Sequence, residues 1–148
     1  MLLFSISCSN KETTGGGGGV YNVPTATGNA ATDLTDATYS GNLNLVSYEP
    51  PEIKDALDDP LIGFQLQIAG NKIVRSGAYN GLVNVQILKT ASGEYNASGT
   101  SNDGGTSVKE YIKFTVSGNN VEILEWTAVV SADGQGHKQT YKGSLTKQ

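Results

Sequence analysis

The feature that most constrains this chain is the period-two alternation of apolar and polar residues that begins at Ala37. In residues 62–68, four apolar side chains alternate with Gly and Gln, so all four point to one face of an extended strand. Clusters of Gly, Asn and Asp interrupt the alternation at short intervals. Alternation bounded by such turn residues is typical of antiparallel strands with one buried face. The sequence therefore predicts an all-β domain.

The alternating segments predict an antiparallel meander of eight strands. Most of the turns between them contain Gly or Asn, which tolerate the positive φ that hairpins require. The segment 49–60 breaks the alternation, and Pro51 predicts a short helical turn near 51–58. The predicted strands are 38–48, 61–69, 72–77, 80–90, 93–101, 107–117, 120–130 and 137–147.

The first and last strands share the spacing Tyr-x-Gly-x-Leu, at residues 39–43 and 141–145. Glycine inside a strand marks a sharp bend or a close approach of another backbone, and bent strands favour closure of a sheet. An eight-stranded meander whose terminal strands pair has no exposed edge. We therefore expect a barrel. The alternative is a two-sheet sandwich in which the glycines mark only bulges.

Residues 1–8 are apolar and too short to cross a bilayer, which takes about 20 apolar residues. We interpret them as the remnant of a signal peptide. The run Ile-Ser-Cys-Ser-Asn at residues 6–10 resembles the lipobox of bacterial lipoproteins, particularly the form common in the Bacteroidetes. The resemblance implies that Cys8 is acylated and anchors the protein in a membrane. It also implies a place at the outer membrane or cell surface, with a periplasmic or extracellular domain.

The segment 9–36 has the composition of a flexible tether. It contains five consecutive glycines at 15–19 and no apolar periodicity, and a glycine-rich chain remains a flexible coil. This division predicts a single folded domain at 37–148. A chain that begins at Asp36 is therefore expected to unfold at nearly the same temperature as one that begins at Ser9.

The predicted order of anchor, tether and eight-stranded meander resembles the lipocalin-like, or calycin, lipoproteins of the Bacteroidetes. The resemblance covers the layout of residues 37–148 and the lipobox at Cys8. It implies a barrel that encloses a small apolar or amphipathic ligand.

Composition argues against metal and nucleic-acid chemistry. With one Cys and one His, the chain cannot form a zinc site of Cys and His ligands. The acidic residues of 49–59 lack the regular spacing of a calcium loop and predict a solvated face. A net charge of −4 without a basic cluster offers no surface for phosphates. We therefore expect no metal site, no cofactor and no nucleic-acid partner.

Residues that could perform catalysis are scarce. A Ser-His-Asp triad would have to use His137, and no Gly-x-Ser-x-Gly turn accompanies it. We interpret His137 as an exposed residue at the edge of the last strand. Glu122 and Glu125 lie three apart on one strand, so their carboxylates point to opposite faces. The sequence predicts no catalytic residue and a protein that is not an enzyme.

Aromatic side chains in or beside the strands are the candidate ligand-binding residues. Such rings line apolar pockets and carbohydrate platforms, and the alternative is that they only pack in the core or cover hairpins. The candidates are Tyr39, Tyr79, Tyr95, Tyr111, Trp126 and Tyr141.

Two functions follow from these features. The first is a lipid-anchored envelope protein that is not an enzyme and binds a small apolar or amphipathic ligand inside its barrel. The alternative is a structural or adhesive surface protein that binds a protein or glycan through an outer face. The two functions require different barrel interiors. Ligand binding needs a cavity of several hundred cubic ångströms, whereas a barrel filled by side chains can bind only through its outer face.

Overall fold

A computed structural model describes residues 21–77 and 79–148, and all of its strands belong to one antiparallel sheet. A single 3₁₀ helix, Pro51–Ala56, lies within the segment where the sequence predicts a helical turn. The strands are β1 Asn29–Ala30, β2 Ala37–Glu49, β3 Leu61–Ala69, β4 Lys72–Ser76, β5 Val85–Gln86, β6 Leu88–Lys89, β7 Tyr95–Asp103, β8 Thr106–Ser117, β9 Asn120–Ala132 and β10 Gln135–Lys147.

The sheet curls into a nearly closed barrel. Its strand order is β1-β6-β7-β8-β9-β10-β2-β3-β4-β5, so the first and last long strands, β2 and β10, are neighbours. On the opposite side, β5 pairs with β4 and β6 pairs with β7, and only Ile87 separates β5 from β6. The segment 85–89 therefore joins the two ends of the sheet. The predicted barrel is confirmed.

The predicted strands agree with the structure except at 80–90. Of this predicted strand, only the second half is extended, and it forms the short strands β5 and β6. Residues 80–84 form a turn. Asn84 has a φ of 64°, which is incompatible with a continuous strand. Because β1 is added and one predicted strand is divided, the sheet has ten strands among the described residues, where the sequence predicts eight.

Two strand glycines allow β2 and β10 to approach closely. A Cβ atom on Gly143 would lie 2.5 Å from the carbonyl oxygen of Asn42, and one on Gly41 would lie 2.3 Å from that of Ser144. Both distances are far below van der Waals contact, and both obstacles are backbone atoms. This register, in which Leu43 pairs with Gly143, therefore requires glycine at both positions.

Gly143→Val should destabilise the barrel by about 2 kcal/mol, because its branched side chain would overlap the backbone of β2. Urea unfolding followed by circular dichroism measures the difference. The control is Lys142→Val, which places the same side chain at the neighbouring exposed position of β10 and should be close to neutral. Equal stability of the two variants would contradict the close approach.

The described part of the predicted tether, residues 21–36, lies against the barrel. Ala31 is buried, and its N–H donates to the carbonyl of Ile87 at 2.8 Å. The Asn96 side chain accepts from the N–H of Thr27 at 2.9 Å and donates to the same residue's carbonyl at 2.9 Å. Leu34 packs against the core. The folded domain therefore begins upstream of residue 37, which differs from the predicted boundary.

The reason for the difference is that these contacts are made with distant residues. The Asn96 side chain, 69 positions from Thr27, makes the hydrogen bonds to the Thr27 backbone that a neighbouring strand would otherwise make. The Ser98 hydroxyl accepts from the N–H of Ala26 at 3.0 Å. Hydrogen bonds of this kind leave no alternation of apolar residues in the segment 21–36, so the sequence pattern did not indicate them. Residues 1–20, which include Cys8 and the glycine run, lie outside the described residues.

A chain that begins at Ala37 should be less stable than one that begins at Tyr21 by about 2–4 kcal/mol. The shorter chain exposes the apolar surface under Ala31 and Leu34 and leaves the buried Asn96 amide without its partner. Thermal unfolding should show a decrease in Tm of about 10 °C. Melting temperatures within 2 °C of each other, as the tether interpretation predicts, would contradict this packing.

Candidate ligand cavity

The two ends of the barrel differ in how they are filled. The end where β2 begins and β10 finishes is packed with apolar side chains, among them Ile68, Phe114 and Leu145, each with 1% or less of its surface exposed. The opposite end contains a cavity of about 660 Å³. Only one half of the interior is therefore a solid core.

The last strand lines the cavity with three consecutive inward positions. His137, Gln139 and Tyr141 lie two residues apart on β10, so their side chains share one face of the strand. Tyr141 is paired with Trp126 on β9, which also lines the cavity. Polar residues thus stand near the mouth of the barrel, and aromatic residues lie deeper.

Trp126 is the centre of an aromatic cluster in the cavity wall. Its ring centroid lies 5.0 Å from that of Phe64, 5.7 Å from that of Tyr141 and 6.2 Å from that of Tyr79. Aromatic pairs at these separations attract one another in addition to burying area. The cluster therefore gives the cavity a firm apolar wall.

The 3₁₀ helix covers the mouth. Ile53, Ala56 and Leu57 line the cavity, and none of the residues of this helix is buried. The Tyr141 hydroxyl donates to the carbonyl of Asp58 at 2.8 Å, which ties the segment after the helix to the barrel. This segment therefore presents apolar side chains to the cavity while its opposite side faces solvent.

The polar atoms of the wall aromatics have partners within the protein. The indole Nε1–H of Trp126 donates to Glu110 Oε1 at 3.0 Å, and Gln139 Nε2 donates to the hydroxyl oxygen of Tyr79 at 3.2 Å. The hydroxyl of Tyr141 is engaged with Asp58. These three polar atoms of the wall are therefore already engaged within the protein.

Glu110 is a fully buried carboxylate behind the cavity wall. It accepts from Trp126 Nε1–H through one oxygen and from the N–H of Gly81 at 2.7 Å through the other. Its inward position follows from the alternation in β8, where it stands between buried Val108 and Ile112. The sequence signal for this buried carboxylate is a charged residue at an apolar position of the alternation.

The turn at 80–84 is held against the barrel by this carboxylate. A Cβ atom on Gly81 would lie 2.8 Å from Glu110 Oε2, and one on Gly99 would lie 2.1 Å from the carbonyl of Gly81. Glycine at both positions therefore allows the turn to reach the carboxylate. Tyr79 precedes this turn and is held in the cavity wall by a β-bridge to Ser76 and by the hydrogen bond from Gln139.

Burial changes the proton affinities of the site. It raises the pKa of Glu110, although hydrogen bonds from Trp126 and Gly81 act in the opposite direction. It raises the pKa of Tyr141 to about 12, with a further contribution from the negative charge of Asp58. It lowers the pKa of His137 below 6.5, so this imidazole is neutral at pH 7.

The raised pKa of Glu110 predicts a pH dependence of stability. The native state binds this proton more tightly than the unfolded chain, so the protonated carboxyl contributes its full stabilisation below about pH 4.5. That contribution is lost as the pH rises through the native pKa. The free energy of unfolding of the wild type, relative to Glu110→Gln, should therefore decrease as the pH rises above about 4.5 and through the native pKa of Glu110.

Urea titrations at a series of pH values measure this difference. The control is Glu52→Gln, which removes an exposed carboxylate from the 3₁₀ helix and should keep the wild-type profile. A difference between wild type and Glu110→Gln that stays constant with pH, or increases, would contradict a buried carboxyl with a raised pKa.

Three of the six predicted aromatic residues, Tyr79, Trp126 and Tyr141, line the cavity. Tyr39 is buried in the core, and Tyr95 stacks on Phe114 and donates its hydroxyl to Asp33.

Tyr111 is buried on the outer face of β8, because it alternates with the inward positions 110 and 112. The structure therefore gathers three of the candidates into one site and separates the other three.

Sequence analysis missed several polar residues of the cavity. His137, interpreted as an exposed edge residue, is half-buried in the wall, and this interpretation is wrong because position 137 shares the inward face of β10 with Tyr141. Arg75 and Gln139 were not singled out. The available signal was the alternation of β10, which continues inward from Tyr141 to both Gln139 and His137.

Within the described residues, no group of three or more His, Cys, Asp and Glu side chains is arranged to hold a metal ion. Over the same residues, no helix has the length and apolar character needed to cross a membrane. Comparison with known protein families, with curated proteins and with solved structures finds no match for this chain.

Proposed function

We propose that this protein binds a small apolar or amphipathic molecule in the cavity at the open end of its barrel, and that it does so without catalysing a reaction. The observation that carries the proposal is the cavity of about 660 Å³. Its volume falls within the range of roughly 300–1,000 Å³ that small-molecule sites occupy. A barrel that served only as a scaffold would have no need to leave this volume unfilled.

The composition of the wall supports the same proposal. Four aromatic side chains and apolar residues of the 3₁₀ helix line the cavity together with polar groups. This combination is typical of ligand sites, where apolar area contributes affinity and isolated polar groups fix orientation.

The proposal includes a lipid anchor at Cys8, based on the lipobox resemblance of residues 6–10. The chain between Cys8 and Tyr21 comprises residues 9–20, so these two residues can be at most about 45 Å apart. An acylated Cys8 would therefore keep the barrel near the surface of the outer membrane. In this position the protein could collect or hold an amphipathic molecule of the envelope.

N-phenyl-1-naphthylamine, an apolar fluorescent probe, should bind with saturation and quench the emission of Trp126. Trp126 is the only Trp of the chain and lies in the cavity wall, so its emission reports occupancy directly. Ala56→Phe should weaken binding at least tenfold by filling the mouth beneath the helix.

The matched control is Asp55→Phe, which adds the same ring to an exposed position of the helix outside the cavity lining. It should bind the probe as the wild type does. Absence of quenching in the wild type would overturn the ligand-binding proposal and favour the alternative of a surface protein that acts through its outer face.

Cys8→Ala should release the protein from membranes, because acylation at Cys8 is the proposed attachment of an otherwise polar chain. Immunoblotting of membrane and soluble fractions from the native host measures the distribution. The control is Ser9→Ala, which leaves the acylated residue in place. A Cys8→Ala variant that sediments with membranes as fully as the wild type would contradict the anchor.

A further inference from the structure

We propose that the cavity selects an anionic amphiphile, a small molecule with an apolar body and one oxyanionic group, and that Arg75 receives the anion. The inference rests on the proposed function, since it names the class of ligand that the same cavity takes. The oxyanion can be a carboxylate, a sulfonate or a phosphate, because all three offer paired oxygens to a guanidinium group.

Arg75 is the only Arg in a chain with 14 acidic residues and a net charge of −4. It lines the cavity, and none of the described carboxylates lies within ion-pair distance of it. The ion pairs among the described residues join Lys89 to Asp33 and Lys113 to Glu94. In so acidic a protein, the cavity thus holds a cation that these carboxylates leave available to a ligand.

The apolar wall begins immediately beside Arg75. Two residues further along the chain, Gly77 adopts a φ of 60°, and a Cβ atom there would lie 2.8 Å from the ring of Phe64 and 3.3 Å from that of Trp126. The chain therefore passes in contact with the aromatic cluster directly after the arginine. A cation and an apolar wall that line one cavity are the arrangement that an amphiphile with one charged end requires.

The other polar residues of the mouth provide donors without adding charge. His137 is neutral at pH 7 because burial lowers its pKa, and a neutral imidazole retains one N–H donor. Gln65 and Gln139 also line the cavity. These groups can orient an oxyanion, whereas the charge selection falls to Arg75.

Asp58 is the carboxylate that opposes this selection. It is the acidic residue among those that line the cavity, and it follows the 3₁₀ helix in the chain. A bound anion must therefore lie nearer to Arg75 than to Asp58. If the ligand were a cation, Asp58 would attract it and Arg75 would oppose it. Substitutions of these two residues therefore distinguish an anionic ligand from a cationic one.

Arginine suits this task better than lysine would. Its planar guanidinium presents two parallel N–H donors to one oxyanion and is weakly hydrated, so it binds such groups at a cavity mouth with little loss of solvation. Because Arg75 is exposed, its charge competes with water. The effect is therefore moderate, about tenfold in affinity, as for one charge-assisted hydrogen bond.

A matched pair of probes tests the inference. N-phenyl-1-naphthylamine and 8-anilinonaphthalene-1-sulfonate share one ring system and differ by the sulfonate, and both can be titrated against the emission of Trp126. Arg75→Gln should weaken binding of the sulfonate about tenfold and change binding of the neutral probe less than twofold. Lys72→Gln removes one positive charge from an exposed position of the same strand and should leave both affinities unchanged.

Asp58→Asn provides a second variant with the opposite expectation, since removal of the opposing carboxylate should strengthen binding of the sulfonate. Equal effects of Arg75→Gln on the two probes would overturn the anion selection while leaving the ligand-binding proposal intact. Weaker sulfonate binding in Asp58→Asn would overturn it as well. Failure of the wild type to bind the neutral probe would overturn the proposed function itself, so the two failures are distinguishable.

Discussion

Pairing between β2 and β10 is the interaction on which the interior of this protein depends. An open sheet of the same strands would expose the inward face of each, and the apolar side chains there would have no opposite wall to pack against. Gly41 and Gly143 permit the two backbones to meet at the required distance. On the far side, the short segment 85–89 completes the ring by pairing with β4 and β7. Closure therefore creates both the solid core at one end and the cavity at the other.

Glu110 explains how the open end keeps its shape without being filled. A cavity wall built only from apolar side chains would lower its free energy by collapsing inward, because the collapse would increase the contacts between buried apolar groups. Here the carboxylate fixes Trp126 through its indole N–H and holds the turn at 80–84 through the N–H of Gly81. These bonds give both oxygens of Glu110 and the Trp126 indole N–H a partner. The wall is thus held by directional bonds. Burying Glu110 costs free energy, and its hydrogen bonds to Trp126 and Gly81 keep the site preformed.

Sequence reasoning predicted the strands because their signal is local, and it predicted the barrel because the terminal strands carry the same glycine spacing. It located three cavity residues, Tyr79, Trp126 and Tyr141, without separating them from Tyr39, Tyr95 and Tyr111, since aromatic residues of the core and of the cavity share one pattern. Which end of the barrel is open depends on the packing of all strands together, so Arg75 could not be placed, whereas the alternation of β10 carried a signal for the inward position of His137. The pairing of Thr27 with Asn96 could not be predicted either, because it joins distant residues without an apolar signal.

The central claim is that the open end of the barrel binds a small molecule, and the most direct test is to locate the bound molecule by nuclear magnetic resonance. The indole N–H of the only Trp gives a single signal that reports both the cavity wall and the bond to Glu110. On titration with 8-anilinonaphthalene-1-sulfonate, this signal should shift with saturation, together with the backbone amides of Gly77, Tyr79 and Gln139. Shifts confined to exposed residues outside the cavity lining, such as Val46 and Leu124, would contradict the account.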